Sequence, residues 1–311
     1  MRAFIFPGQG SQAVGMGKAL AEASPVAREV FQEVDDALGQ HLYRLMTEGP
    51  AEELLLTENS QAAIMANAIA TLRVLEREGN VRLADKAEYV AGHSLGEYTA
   101  LCAAGALDVA TTARLLKLRG LAMQAAVPVG EGAMAALLGA DLDKARAIAE
   151  AASEGEVCTV ANDNDPSQVV LSGAKGAIDR VIAIAKEHGA KKAVLLPVSA
   201  PFHCPLMQPA ADAMEKALAD ARIEAPLVPV FANVTAAAVG DPDTIRRLLV
   251  EQVTGMVRWR ESVLAMQDAG VEQFVEFGAK VLTGMVKRIA PDAATVSIVS
   301  MDDIEALLKT L

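Results

Sequence analysis

The stretch that decides the fold is Glu88-Tyr89-Val90-Ala91-Gly92-His93-Ser94-Leu95-Gly96, in which an apolar run leads into a Gly-x-Ser-x-Gly pattern. Residues 88–92 are predicted to form a buried strand, and residues 95–104 a helix. The two glycines allow a tight strand-to-helix turn that exposes the Ser94 hydroxyl. This order predicts an α/β fold with a nucleophilic serine on the turn. The alternative is a serine that only caps the helix.

Strand-like and helix-like segments alternate on both sides of this turn, which indicates a layered α/β fold. Periodicity predicts further strands at residues 3–6, 228–233, 273–277 and 295–299, and further helices at 18–38, 60–78 and 109–126. Glycines at the ends of these helices favour stops there. The segments together predict one large α/β unit.

Residues 133–198 follow a different rhythm. Strands are predicted at 133–138, 157–161, 168–171 and 193–198, and helices at 141–152 and 177–188. The run Asn162-Asp163-Asn164-Asp165-Pro166 is typical of a turn. The order β-α-β-β-α-β is that of a ferredoxin-like unit. We therefore expect a large domain over 1–128 and 199–311, interrupted by a ferredoxin-like subdomain over 129–198.

Composition narrows the classes of function. The formal net charge of −12 is opposite to that of a general nucleic-acid binder. No apolar run approaches the roughly 20 residues of a spanning helix, and the amino terminus lacks a secretory pattern, so we expect a cytoplasmic protein that binds neither nucleic acid nor membrane. The three cysteines are widely spaced and predict neither a disulfide framework nor a metal site.

A serine nucleophile needs a base, and the chain has only four histidines. His41 and His188 lie among ordinary surface residues, and the side chain of His93 should leave the turn in another direction than its neighbour's. His203 remains, in a proline-bracketed loop after a predicted strand. It is the candidate base, although a loop histidine can also face solvent. An aspartate could complete a triad, and the sequence leaves this open.

Several motifs, in order along the whole chain, carry a family resemblance. They are Phe6-Pro7-Gly8-Gln9-Gly10-Ser11-Gln12, Gly92-His93-Ser94-Leu95-Gly96-Glu97-Tyr98, Leu116-Lys117-Leu118-Arg119-Gly120, Ala200-Pro201-Phe202-His203, Val257-Arg258-Trp259 and Lys280-Val281-Leu282-Thr283-Gly284. Together they resemble malonyl-CoA:acyl-carrier-protein transacylases of bacterial fatty-acid synthesis, to which the acyltransferase domains of polyketide synthases are related. The resemblance implies an α/β-hydrolase-like domain that carries a ferredoxin-like subdomain.

The resemblance also implies roles for particular residues. Gln9 would complete an oxyanion hole with the backbone N–H of Leu95. Gln252 would orient His203 through its backbone carbonyl, in place of a triad aspartate. Phe202 stands where a phenylalanine accompanies malonyl rather than methylmalonyl preference in the polyketide relatives, because its ring would crowd an α-methyl group.

Arg119 is the residue that would make the enzyme specific for malonyl groups. A planar guanidinium can bind the free carboxylate of malonyl through two parallel hydrogen bonds. From the residue pattern alone, Arg119 reads instead as a surface arginine near a helix end, close to Arg114 and Lys117. The resemblance favours the first interpretation.

The expected reaction is transfer of a malonyl group from malonyl-CoA, through malonyl-Ser94, to the phosphopantetheine thiol of acyl carrier protein. It needs no metal or redox cofactor, and we expect a monomer. The alternatives are a serine esterase or thioesterase, a free-standing acyltransferase that serves a polyketide synthase, and a non-catalytic docking subunit. Candidate basic residues for docking the acidic carrier are Lys186, Lys191, Lys192, Lys287 and Arg288.

Overall fold

Ten strands form two separate sheets in a computed structural model that describes all residues from Met1 to Leu311. The strands are β1 (Arg2–Phe6), β2 (Tyr89–Gly92), β3 (Gly132–Leu138), β4 (Cys158–Asp165), β5 (Gln168–Ala174), β6 (Lys192–Leu195), β7 (Val230–Ala232), β8 (Ala237–Val239), β9 (Gln273–Phe277) and β10 (Ala294–Ile298). The predicted strands are all present, and β8 was not predicted.

Fourteen α-helices surround the sheets. They are α1 (Lys18–Ala23), α2 (Pro25–Leu38), α3 (Leu42–Glu48), α4 (Ala51–Leu55), α5 (Thr57–Glu78), α6 (Leu95–Ala103), α7 (Val109–Ala125), α8 (Leu142–Ser153), α9 (Lys175–Ile184), α10 (Gln208–Asp220), α11 (Pro242–Thr254), α12 (Trp259–Asp268), α13 (Leu282–Ile289) and α14 (Met301–Leu308). None of them combines the length and the apolar character that crossing a bilayer requires.

The larger sheet has six strands in the order β10-β9-β1-β2-β7-β8. Strand β1 pairs in parallel with β2 and β9, and only the β7–β8 hairpin is antiparallel. Both faces of β1 are covered: Phe4 and Phe6 enter the largest hydrophobic core, while Ala3 and Ile5 enter a second core on the opposite face. A parallel strand buried on both faces explains the continuous apolar run at the start of the chain.

The smaller sheet is antiparallel, in the order β4-β5-β3-β6. Helices α8 and α9 pack on it, and their apolar faces join the sheet in a core of 16 buried residues. The chain order is β-α-β-β-α-β, as in a ferredoxin-like unit. The predicted fold class, a mixed α/β protein with a separate antiparallel sheet, is confirmed.

The single helix predicted over 18–38 is wrong, because the structure has two helices, α1 and α2, separated at Ser24. Its backbone is extended, and its hydroxyl accepts a hydrogen bond from the N–H of Ala27 at 3.3 Å. Pro25 then occupies the first position of α2, where the missing N–H costs nothing. Serine followed by proline therefore marks the start of a new helix, which helical periodicity alone does not reveal.

The turn predicted at residues 162–166 is present between β4 and β5 but is shorter than expected, because β4 continues to Asp165 and only Pro166 and Ser167 form the turn. The four polar side chains that suggested a turn are buried, and those of Asp163, Asn164 and Asp165 have side-chain partners. Asp163 forms a salt bridge with Arg260 at 2.9 Å, and Asp165 one with Arg288 at 2.8 Å. These residues resemble a solvated loop in composition, but their salt bridges connect the smaller sheet to α12 and α13.

Candidate active site

Ser94 lies at the sharp turn between β2 and α6, in a backbone conformation rare for a residue with a side chain (φ 53°, ψ −111°). Both glycines of the motif are required there. A Cβ on Gly92 would lie 1.8 Å from the carbonyl oxygen of Gly96, and one on Gly96 would lie 2.3 Å from that of Phe6. The strained turn lifts the hydroxyl from the sheet, as the sequence motif predicts.

Side chains from distant parts of the chain hold this turn. The Asn233 side chain accepts a hydrogen bond from the N–H of Ser94 at 2.8 Å and donates one to the carbonyl of Gly92 at 2.7 Å. The Gln252 amide donates to the carbonyl of Ser94 at 3.0 Å. Asn233 and Gln252 are fully buried. The turn is thus fixed by hydrogen bonds that the local sequence does not contain.

His203 is the histidine that meets the serine. Its Nε2 lies 2.7 Å from Ser94 Oγ, and its Nδ1 lies 2.8 Å from the carbonyl oxygen of Gln252. Because a carbonyl only accepts, Nδ1 must carry the proton, which leaves Nε2 with a lone pair for the serine proton. Burial, and to a smaller extent the charge of Arg119, lowers the pKa of His203 to about 3, so the ring is neutral at neutral pH.

The other histidines do not contact Ser94 Oγ. His93 Nε2 lies 2.8 Å from Oδ1 of Asn164 in β4, with the ring beside Trp259. His41 and His188 are exposed on the surface. Elimination among the four histidines therefore selected the one that the fold brings to the serine.

Arg119 is buried beneath the serine, with 1% of its surface exposed. Nη1 donates to Gln61 Oε1 at 2.7 Å, and Nη2 donates to Gln252 Oε1 at 2.8 Å and to Ser94 Oγ at 3.1 Å. The guanidinium also lies 5.6 Å from the centre of the Tyr98 ring. The surface interpretation of Arg119 is wrong, because α7 presents this residue to the interior.

A cavity of about 240 Å³ opens above these groups. Gln9, in the loop after β1, and Leu95, the first residue of α6, both line it, and the first N–H groups of a helix have no intrahelical acceptor. Phe202 also lines the cavity. The remaining lining residues are Gly10, Gln12, Leu55, Gln61, His93, Ser94, Arg119, Met123, Met134, Asn162, Leu196, Pro197, Val198 and His203. The cavity offers one buried cation among mainly apolar or neutral walls.

No group of three or more His, Cys, Asp or Glu side chains is arranged to hold a metal ion. The three cysteines are buried and unbonded to one another. The chemistry available in the cavity is therefore that of a serine, a neutral histidine, backbone and amide donors, and a guanidinium.

Residues 3–298 match the family described as acyl transferase domain. The chain belongs to this acyl transferase family. It is 46% identical over 296 residues to a malonyl CoA-acyl carrier protein transacylase of Escherichia coli K12, a match that covers 95% of this chain and 94% of the relative. The family relationship inferred from the motifs is confirmed.

Solved structures of relatives have the same fold as this acyltransferase. An acyl-carrier-protein S-malonyltransferase from Bartonella henselae is 51% identical, with a TM-score of 0.97 over 99% of this chain and 98% of that one. A malonyl-transacylase solved in complex with a type II polyketide synthase acyl-carrier protein is 39% identical, with a TM-score of 0.96 over 100% and 99% of the two chains.

No role was predicted from the sequence for three further residues of the acyltransferase site. Gln61 binds Arg119, Asn233 binds the serine turn, and Glu97 binds Gln252 and Asn233. One signal was available for Glu97, since it is the only charged residue of α6, a helix whose other members are all apolar or neutral. A lone charge in such a helix indicates a buried group with a specific partner.

Proposed function

We propose that this acyltransferase moves a malonyl group from malonyl-CoA to the phosphopantetheine thiol of acyl carrier protein through a malonyl-serine intermediate. One observation carries the proposal: a buried guanidinium, that of Arg119, lies 3.1 Å from the hydroxyl of Ser94. An acyl group attached to that hydroxyl would find a fixed cation within reach, and malonyl has a carboxylate to offer it.

In the proposed acylation step, His203 Nε2 takes the proton of Ser94 Oγ as the oxygen attacks the thioester carbon. The Nδ1–H bond to the Gln252 carbonyl keeps the ring in the required tautomer and stabilises the imidazolium that forms. The thioester oxygen becomes an oxyanion and accepts hydrogen bonds from the Leu95 N–H and from Gln9. Collapse of the adduct expels the coenzyme A thiolate, which receives the proton from His203.

The second step repeats the first in reverse. The phosphopantetheine thiol of the carrier loses its proton to His203 and attacks malonyl-Ser94, and the serine leaves with that proton. Arg119 would hold the malonyl carboxylate through both steps, so the acyl group would not move between them. Phe202, which is 7% exposed and lines the cavity, would stand against an α-methyl group.

The curated and structural relatives support the proposed substrates. The Escherichia coli relative is named for malonyl-CoA and acyl carrier protein, and the Bartonella henselae relative for malonyl transfer to that carrier. An esterase or thioesterase for uncharged acyl groups gives the buried arginine beside the nucleophile no particular role. For this reason the esterase and thioesterase alternatives are less well supported.

The carrier could also belong to a polyketide synthase, because one structural relative was solved with such a carrier. The chemistry at Ser94 would be the same. Supplying both types of carrier protein to the malonylated enzyme and comparing rates of transfer would identify the preferred one. Among the basic residues considered for docking, Arg288 is already paired with Asp165.

The proposal includes a division of the chain into a large unit, 1–128 and 199–311, and a ferredoxin-like unit, 129–198. It is supported by the separate core of the small sheet, whose members all lie between residues 133 and 190. We also propose that the enzyme works as a monomer in the cytoplasm, with no metal or redox cofactor.

Mass spectrometry of the intact protein tests the function. After exposure to malonyl-CoA, the protein should gain the mass of one malonyl group, and Ser94→Ala should gain none. Adding phosphopantetheinylated carrier protein should return the enzyme to its original mass. Methylmalonyl-CoA should label it far more slowly. Release of free malonate without transfer would indicate a hydrolase, and no labelling would indicate a non-catalytic protein.

A further inference from the structure

Glu97 is a buried carboxyl group for which the proposed reaction has no direct use. It lies in the first turn of α6 and is 3% exposed. No lysine, arginine or histidine forms a salt bridge with it, and burial raises its pKa to about 7. Since burying a carboxyl group without a paired cation is costly, its position calls for an explanation.

The contacts of Glu97 all lead to groups that hold the active site. Its Oε2 accepts hydrogen bonds from Nε2 of Gln252 at 2.7 Å and from the backbone N–H of Asn233 at 3.1 Å. Gln252 in turn contacts Arg119 with its amide oxygen and the Ser94 carbonyl with its amide nitrogen. The carboxyl group is therefore one residue removed from both the guanidinium and the nucleophile.

Only one orientation of the Gln252 amide satisfies this arrangement. Arg119 can only donate, so the amide oxygen must face it. The acceptors, Glu97 Oε2 and the Ser94 carbonyl, must then face the amide nitrogen. In the reverse orientation, the NH₂ group would point at the guanidinium and the amide oxygen at three other oxygens, those of Glu97, Ser94 and Asn233. Glu97 supplies the shortest of the hydrogen bonds that Gln252 Nε2 donates.

We propose that Glu97 is a positioning residue, which holds the Gln252 amide with its oxygen toward Arg119 and so fixes the guanidinium for the carboxylate of the acyl group. This inference rests on the proposed function, because it assigns that carboxylate to Arg119. His203 is bound by the backbone carbonyl of Gln252 and not by its side chain. Loss of Glu97 should therefore impair recognition of the carboxylate more than the Ser94–His203 pair.

Three variants separate this role from a general structural one. Glu97→Met removes the acceptor but keeps an unbranched side chain of similar length. Glu97→Gln removes the charge but keeps an oxygen that can accept from both donors. Thr99→Val is the matched control in the same helix, because the Thr99 hydroxyl is buried and has no hydrogen-bond partner.

The measurement is the rate of acylation of Ser94 by malonyl-CoA and by acetyl-CoA, followed by intact mass at several substrate concentrations. In Glu97→Met, the malonyl-to-acetyl ratio of kcat/KM should fall by roughly tenfold, mainly because KM for malonyl-CoA rises. A change of this size corresponds to the loss of about one hydrogen bond to a charged group. Glu97→Gln should retain the ratio within about threefold, which is less than half of that effect in free energy. Thr99→Val should match the wild type.

Two outcomes overturn the proposal. Equal losses for the two thioesters in Glu97→Met would assign Glu97 a merely structural role, and a loss of selectivity in Glu97→Gln as large as in Glu97→Met would assign the effect to charge. If Glu97→Met does not fold, Glu97→Asp, which withdraws the carboxyl group by one methylene, takes its place with the same expected fall. Failure of the wild type to prefer malonyl-CoA would instead refute the proposed function.

Discussion

Replacing Arg119 by Met should convert the enzyme from one that requires a carboxylate on the acyl group to one that does not. The guanidinium is held by Gln61 and Gln252, at 2.7 and 2.8 Å, and is almost fully buried. Methionine removes its charge and donors while an unbranched chain still fills much of the space. The variant therefore tests recognition with limited disturbance of packing.

The expected magnitude follows from the hydrogen bonds lost. A carboxylate held by two hydrogen bonds to a charged group loses about 3 kcal/mol, at roughly 1.5 kcal/mol each. At about 1.4 kcal/mol for each factor of ten, kcat/KM for malonyl-CoA should fall by about 100-fold. Acetyl-CoA has no such carboxylate to lose. Moreover, the charge of Arg119 lowers the pKa of His203, so its removal makes the base stronger. Acylation by acetyl-CoA should therefore be maintained or rise.

The assay is single-turnover acylation of Ser94 by each thioester, with Arg119→Lys as the control that keeps the charge but loses the planar pair of donors. The lysine variant should retain part of the malonyl preference. A fall by the same factor for malonyl-CoA and acetyl-CoA in Arg119→Met would refute the reasoning, because it would place the role of Arg119 in the chemistry or the fold and not in recognition.

Other predictions concern the acyl pocket, the junction between the sheets and the serine turn. Phe202→Ser should raise acylation by methylmalonyl-CoA relative to malonyl-CoA, and an unchanged ratio would show that the ring does not limit the α-position. Arg260→Met leaves the buried carboxylate of Asp163 without its cation and should cost about 3 kcal/mol in urea unfolding at neutral pH, more than the same change at the half-exposed Arg288. Because burial raises the pKa of Asp163 and loss of the cation raises it further, this cost should shrink as the pH falls and the carboxylate takes up a proton. Gly92→Ala should lower stability by about 3 kcal/mol and abolish acylation, and an unchanged melting temperature would contradict the close approach seen in the turn.

The serine turn could be predicted from the sequence because its determinants are local. An apolar run, two glycines and a helix lie within the 15 consecutive residues from Tyr89 to Ala103, and the observed β2 (Tyr89–Gly92) and α6 (Leu95–Ala103) differ from the predicted ranges by one residue each. The glycine requirement is steric and acts between near neighbours in the chain. Such a local steric signal can be recognised in a single sequence without knowledge of the tertiary fold.

The burial of Arg119 could not be predicted in the same way, because it depends on how two helices pack. A Cβ on Gly120 would lie 2.5 Å from Cα of Glu58. The glycine therefore allows α7 to approach α5 closely, and α5 carries Gln61, the partner of the guanidinium. In the sequence, Arg119 is one basic residue among several in a helix. The burial of residues 162–165 could not be predicted for the same reason, because the partners of Asp163 and Asp165 lie in helices about a hundred residues away in the chain.

The parallel sheet explains why residues so far apart in the chain form one site. Gln9, Ser94 and Asn233 each follow a different strand of the larger sheet, β1, β2 and β7, whose carboxyl ends meet at one edge. The smaller sheet closes this edge from above, through the contact between Asn164 and His93. The cavity thus forms where the carboxyl ends of these strands meet the smaller sheet. Side chains in the cavity are shielded from water by both sheets.

The exclusion of water from this cavity determines which acyl groups the site selects. A guanidinium in bulk water would gain little from a carboxylate, but one that is almost fully buried, with two neutral amides and a hydroxyl as its direct partners, gains much more. An uncharged acyl group would leave this charge without a counterion at the moment when His203 must accept a proton nearby. A malonyl group supplies the missing negative charge, and with it an environment in which the imidazolium is less unfavourable. Discrimination against uncharged acyl groups would therefore come from electrostatics at Arg119, and discrimination against larger malonyl derivatives from the shape of the wall at Phe202.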